Sequence, residues 1–364
     1  MNISKFSIQV DGSVLDDLEQ RLRATRFPDS VETGWGYGMD AEVLKSFIED
    51  WIVFDFRTVE EELNRLPHFT ATVDGTTIHF IHLRGESASP RPALMLLHGW
   101  PASFVQMLPI LDRLADRFDL IVPSLPGFGF SQRPTAPGMN VGRMGELLHE
   151  LVTVGLGYAR FGLRSSDLGA GVASAICLAH PESVIGSHES GTNPFLPSIP
   201  EDLSAEEATF VEQAQQWMQT EMAYAMVHSS KPQTLAASLN DSPAGLAAWM
   251  LEKFERWSDG GLAAYDRTEL LTNLTLYWVT ETIGSSIRLY AETVRAGGPW
   301  GRVEVPRGFA MLPADMFPTP RSWIERNSRV DHWTELPRGG HFGEWEVPDL
   351  LARYIHAFFD AIPK

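Results

Sequence analysis

The segment Ser165-Ser166-Asp167-Leu168-Gly169 places a carboxylate where a short apolar run, ARFGLRSS, gives way to a helical pattern, LGAGVASAICLAHP. At such a strand-to-helix turn a carboxylate can act as a nucleophile and form an ester with an electrophilic carbon. The turn is tight and other chain segments approach it closely, so small neighbours are needed; Ser165 and Gly169 stand two before and two after Asp167. The helix that follows turns its positive end toward the site, which favours an anion and an oxyanion forming beside it. The turn carries no GxSxG pattern, which disfavours a serine nucleophile. The same pentapeptide also suits a plain helix N-cap, a common role for Asp. The residues that accompany Asp167 decide between the two readings.

His98-Gly99-Trp100-Pro101 directly follows the apolar run ALMLL. A turn there can aim the backbone N–H of Trp100 at the mouth of the neighbouring strand, and the N–H of Leu168 follows the carboxylate itself. Together they form a candidate oxyanion pair. HGWP alone also reads as an ordinary turn, but SLPGFGFS at the next strand end makes the pattern more specific. His341, in Arg338-Gly339-Gly340-His341-Phe342, stands beyond the last strand pattern and before the final helix. A neutral imidazole can take a proton from water near neutral pH. The acid that orients it should sit in the loop after the preceding strand, where Asp315 occurs in Leu312-Pro313-Ala314-Asp315-Met316. Asp315 also reads as a solvated loop carboxylate. Its rivals Glu325 and Asp331 fall in the helix and strand after that loop.

These residues must be held by a scaffold. The segment from Ala41 to Leu66 shows apolar residues near helical spacing. Thr70 to Leu83 alternates around the hairpin signal VDG. Ala93–Gly99, Asp119–Gly127 and Val184–Ser190 read as strands, with a helix predicted over Phe104–Phe118. Strand and helix in alternation imply parallel β-α-β units, hence an α/β fold with a mostly parallel central sheet flanked by helices. From about Asn193 to Gly284 the pattern is helical and rich in Trp and Met, and strand signals resume at VEVPRGFAML and VDHWTELPRGGH. The organisation expected is an N-terminal segment over 1–70 that wraps the sheet, a core over 71–192 and 285–364, and a helical lid over 193–284.

Bulk composition narrows the class. The 364 residues are 44% hydrophobic, enough for a large core, and 29 Lys and Arg against 47 Asp and Glu give a formal charge of −18. Such a chain repels nucleic acid and anionic membranes. One cysteine, Cys177, excludes an intrachain disulfide and reads as a buried packing thiol. The N-terminus does not read as a signal peptide and no run of about 18 apolar residues occurs. A soluble, cytoplasmic protein is expected.

The order of these motifs resembles the epoxide hydrolases of the α/β-hydrolase superfamily, in the branch similar to microsomal epoxide hydrolase. The matching pieces run nearly end to end: FDFR, LNRLPHF, HGWP, SLPGFGFS, SDLGA, LNDSPAGLAAWMLEKF, LTNLTLYWVTETIGSSIRLYAE, PRSW and RGGHFGEWE. The resemblance implies an aspartate nucleophile at Asp167, a base at His341 oriented by Asp315, and two lid tyrosines that hydrogen-bond the epoxide oxygen. The matching tyrosines are Tyr224 and Tyr290, while Tyr265 and Tyr277 read as core or surface. It implies no metal or organic cofactor and a small-molecule epoxide as partner, with homo-oligomerisation left open. The chain departs from the family at Ser165, Ser166 and Leu168, where two glycines and a tryptophan are usual. Losing the indole disfavours a haloalkane dehalogenase, which uses it to hold the halide, and reshapes the pocket. The same scaffold also suits an esterase or a non-catalytic ligand-binding protein; the full set of catalytic side chains disfavours the latter.

Overall fold

A computed structural model describes residues 1–31, 33–85, 91–190, 198–298, 301–316 and 318–362. Among the described residues nine strands form one sheet: β1 (Ile3–Lys5), β2 (His68–Val73), β3 (Thr76–Leu83), β4 (Ala93–Leu97), β5 (Asp119–Pro123), β6 (Phe161–Ser165), β7 (Val184–Glu189), β8 (Arg307–Met311) and β9 (His332–Glu335). Their order across the sheet is β1-β2-β3-β5-β4-β6-β7-β8-β9. Pairing is antiparallel from β1 to β5 and parallel from β5 to β9.

Local chemistry accounts for these elements. Every residue of β4 and β6 is buried, as expected of strands covered on both faces. Asp74 and Gly75 between β2 and β3 both have positive φ, 42° and 74°, which suits a tight two-residue hairpin turn. The expected helical stretch over 41–66 divides into Ala41–Ile52 and Phe56–Leu63 because Asp55 caps the second helix, accepting from the N–H groups of Arg57 and Thr58. The helix expected over 104–118 is a 3-10 turn over Phe104–Ile110 followed by one α-turn at Leu111–Leu114. Pro109 lies inside it and has no N–H for an α-helical bond. The strand expected over 119–127 ends at Pro123.

Between β7 and β8 the described chain is helical, with Ala205–Glu221, Ala223–Ser230, Pro232–Leu239, Pro243–Trp257, Arg267–Thr280 and Ile283–Ala296 as its main helices. The last of these runs across the 284/285 boundary drawn from sequence, and the expected start of the insertion at 193 lies outside the described residues. The N-terminal helices Gly12–Arg23 and Ala41–Ile52 lie against this insertion: the Trp51 indole N–H donates to Thr275 Oγ1 at 2.8 Å and Arg21 pairs with Asp241 at 2.8 Å. The helix Asp167–Ala179 after β6 buries Val172, Ala173, Ile176 and Cys177. Burial pushes the Cys177 thiol up to about 12, so it stays protonated and serves packing. No helix among the described residues is long and apolar enough to cross a membrane.

Candidate active site

The parallel strands end on one edge of the sheet, and the loops leaving that edge carry the reactive groups. At the end of β6 the chain turns so sharply that Asp167 takes a left-handed backbone, φ +50°, before the helix Asp167–Ala179 begins. For a residue with a side chain this is strained and persists only where the surroundings enforce it. Two glycines do so. A methyl at Gly99 would run into Cβ and Oδ1 of Asp167, and one at Gly169 would run into the carbonyls of Leu97 and His98. The small residue expected two after Asp167 is therefore required by direct backbone contact.

The Asp167 carboxylate is held on both oxygens. The Trp100 N–H donates to Oδ1 at 2.9 Å, and His341 Nε2 lies 3.2 Å from Oδ2. On its other side His341 Nδ1 lies 2.8 Å from Asp315 Oδ1. The rival acids are engaged elsewhere: Glu325 pairs with Arg321 at 2.7 Å, and Asp331 accepts from Arg329 and from the Arg307 N–H. Leu168 is in the first turn of its helix, where N–H groups have no acceptor within the helix. Its half-buried side chain packs on the core.

The loop carrying His341 is fastened to the helical insertion. Its N–H donates to the Trp257 carbonyl at 2.7 Å, and the Gly339 N–H donates to Asp259 at 2.8 Å. Glu346 accepts from the N–H groups of Gly340, Phe342 and Asp259 at 2.7, 3.0 and 2.8 Å. Above the carboxylate lies an aromatic cluster. Tyr224 stacks on Trp100 with centroids 5.5 Å apart, Tyr290 meets Trp100 edge-on at 6.2 Å, and the two phenol rings are 6.1 Å apart. Tyr277 and Tyr265 turn elsewhere, the first donating to the Ala102 carbonyl at 2.8 Å and the second bonding Ser258.

Electrostatics follow from this enclosure. Burial alone would depress the His341 imidazole, but the carboxylates of Asp315 and Asp167 outweigh it and raise its pKa up to about 10. Burial, reinforced by the charge of Asp167, lifts both Tyr224 and Tyr290 above the ordinary phenol value, so both are hydrogen-bond donors at neutral pH. Burial holds His98 at about 4; its neutral Nε2 accepts the Leu125 N–H at 3.2 Å.

The fold thus brings Asp167, His341, Asp315, Trp100, Tyr224 and Tyr290 together, with Leu168 beside them. Several neighbours escaped the sequence reading. His228 lies in the cluster, with its ring centroid 4.7 Å from Trp100 and 4.9 Å from Tyr290, and its Nε2 accepts the Trp249 indole N–H at 3.1 Å. It stands one helical turn after Tyr224, a spacing that could have flagged it. Lys253 is buried with its ammonium 4.8 Å from the Tyr224 ring. Arg164, the penultimate residue of the buried strand β6, and Glu344, three residues after His341, form an ion pair at 2.7 Å with neither side chain exposed. A charge inside an apolar strand demands a partner, and that was the missed signal.

Comparisons with known proteins place the fold and the family. Residues 3–107 match the family model for the epoxide hydrolase N terminus, and residues 92–239 match the alpha/beta hydrolase fold. A Stigmatella aurantiaca protein named as an epoxide hydrolase is 37% identical over 98% of this chain and 84% of its own length. Epoxide hydrolase 1 of Oryctolagus cuniculus is 31% identical over 100% of this chain and 90% of its own. Among solved structures, the juvenile hormone epoxide hydrolase of Bombyx mori superposes with a TM-score of 0.90 at 28% identity, covering 99% of this chain and 95% of that one. The Aspergillus niger epoxide hydrolase superposes at 0.89 with 30% identity, covering 100% and 97%. The chain belongs to the epoxide hydrolase family, enzymes of the α/β-hydrolase fold that open epoxides with water.

Proposed function

We propose that this enzyme converts a small-molecule epoxide to a vicinal diol in two half-steps carried by these residues. The observation that carries the reading is the double hold on Asp167, with one oxygen on a backbone N–H and the other on an imidazole already paired with Asp315. In the first half-step Oδ2 of Asp167 bonds to an epoxide carbon while that carbon's bond to the ring oxygen breaks. Tyr224 and Tyr290 hydrogen-bond the ring oxygen, and one of them supplies the proton it gains. The product is a hydroxyalkyl ester whose carbonyl oxygen, Oδ1, rests on the Trp100 N–H.

The raised pKa of His341 then has a consequence. While Asp167 is ionised, the imidazole is held as a cation and cannot act as a base. Turning Asp167 into a neutral ester removes one of the two charges that hold that proton. The imidazolium releases it, which restores the phenol, and the neutral ring can deprotonate water. That water attacks the ester carbonyl, and the N–H groups of Trp100 and Leu168 stabilise the oxyanion. Collapse frees the diol and the carboxylate. Each half-step thus prepares the protonation state the next one needs.

The helical insertion acts as the lid, residues 1–70 brace it, and the core comprises the two α/β segments on either side. No metal or organic cofactor enters this scheme, and its reaction partner is a small-molecule epoxide. The single buried thiol and the acidic charge support a cytoplasmic setting. The test is His341→Gln, which leaves the nucleophile and phenols in place. Mixed with a substrate epoxide, the variant should accumulate protein heavier by one substrate mass, with diol release slowed on the order of 10²–10⁴-fold. A variant that turns over no epoxide and never gains mass would remove the two-step scheme.

A further inference from the structure

Beneath the nucleophile lies a charged network that the reaction scheme does not use. Arg164 is the penultimate residue of β6, and neither it nor Glu344 has any solvent exposure. Its guanidinium donates to the Ser165 carbonyl at 3.0 Å, to Ser190 Oγ at 2.5 Å just after β7, and to Glu344 Oε1 at 2.7 Å. The other oxygen of Glu344 accepts from Gln106 Nε2 at 2.9 Å. The same Gln106 nitrogen reaches Ser166 Oγ at 3.4 Å. Ser166 immediately precedes Asp167 and is one of the two serines that stand where the family pattern has glycine.

Apart from Ser190, the members of this network lie in or beside the three segments that carry the Trp100 N–H, Asp167 and His341. Gln106 is in the 3-10 turn that begins at Phe104, shortly after Trp100, Arg164 and Ser166 lead into the turn that bears Asp167, and Glu344 sits three residues beyond His341. We propose that the Arg164–Glu344 pair, joined to Gln106, positions the Trp100 N–H, Asp167 and His341 relative to one another. It is a positioning device chosen for direction over stability, and it rests on the two-step reading of the reaction.

Two charges taken fully out of water gain little over well-packed apolar side chains of the same volume, and replacing such a pair often leaves stability unchanged or raised. Stability therefore does not explain why a central strand carries an arginine. Apolar side chains pack without fixing direction, whereas a guanidinium and a carboxylate with several filled hydrogen bonds fix angles as well as distances. Those angles matter because Asp167 must meet a backbone N–H at 2.9 Å and an imidazole at 3.2 Å from separate loops. Errors of about 1 Å at such contacts cost on the order of 10²-fold in rate.

The test separates positioning from folding. The double variant Arg164→Met with Glu344→Leu removes both charges at similar volume. It should unfold at the same or a higher temperature, yet turn over styrene oxide at least about tenfold more slowly with KM within about threefold. Gln106→Met, which changes no charge, cuts only the arm to the oxyanion loop. Quenched-flow mass spectrometry should show ester formation nearly unchanged and ester hydrolysis slowed about tenfold, so that the adduct accumulates. If the double variant fails to fold, Gln106→Met decides alone. Wild-type rates for both half-steps in a folded double variant, or in Gln106→Met, overturn the proposal. Failure of the unaltered protein to open styrene oxide or any other epoxide in a panel would instead count against the two-step reading itself.

Discussion

The two halves of the active site are built by different forces. The sheet edge holds Asp167, His341 and the Trp100 N–H through directional contacts: a left-handed turn and hydrogen bonds at 2.9 and 3.2 Å, above a buried ion pair that we propose aligns them. The helical insertion holds Tyr224 and Tyr290 through ring packing against Trp100, His228 and Trp257, at centroid separations of 4.9 to 6.2 Å. Hydrogen bonds lose strength steeply with angle, whereas ring contacts are broad in geometry. The sheet side therefore sets the chemistry to a fraction of an ångström. The insertion side rests on contacts of broader geometry, so its phenols should tolerate larger displacements than the strand-end groups.

This contrast can be broken experimentally, beginning with the largest effect. Asp167→Ala should abolish diol formation, a loss on the order of 10⁴-fold or more in single-turnover assays, with the unfolding temperature little changed. A substantial residual rate would mean that another group attacks the epoxide. Phenylalanine at Tyr224 or Tyr290 should slow ester formation by about 10²-fold, and by more when both are replaced, while hydrolysis of preformed ester is spared. Equal damage to both half-steps would erase the division of labour between the halves. Trp249→Phe removes the donor to His228 Nε2 and should change total turnover only a few-fold while altering which epoxide carbon is attacked, read from the regiochemistry of isotope-labelled diol. A loss as deep as that of the tyrosine variants would show that the lid is as exacting as the sheet edge.

The smallest effect is on stability and pH. The folded-state pKa of His341 is raised to about 10 from an ordinary 6.5 by its two carboxylates. Its contribution to stability is therefore complete below about pH 6.5 and is lost as the pH climbs toward 10. His82 and His98 have the opposite sign: burial lowers both to about 4, so the unfolded chain takes up their protons first and stability falls as the pH drops from 6.5 toward 4. The thermal midpoint should peak near the crossover and decline by a few degrees on either side. His341→Gln should flatten the alkaline limb alone; an unchanged alkaline slope in that variant would assign it to other groups.

How much of this was legible in the chain follows the same divide. The strand-end motifs were readable because they depend on local turn chemistry. Gly169 two after Asp167 and Gly99 before Trp100 are where backbone meets backbone, and only small residues fit. The break at Pro109 follows from a missing N–H that the sequence displays, although the apolar spacing from Phe104 to Phe118 concealed it. The split at Asp55 likewise rests on a capping preference weaker than the helical periodicity around it.

The order of nucleophile, acid and histidine, the strand alternation, and the tyrosines reached through resemblance were all present in the linear sequence. Only the tertiary structure decided which carboxylate reaches His341, that His228 and Lys253 join the tyrosines, and that Arg164 finds Glu344 across 180 residues of chain. The physical reason is one of range. Turn, cap and periodicity signals act over a few residues, whereas the partner of a buried charge is chosen by which distant loops the parallel strands bring to the same edge of the sheet.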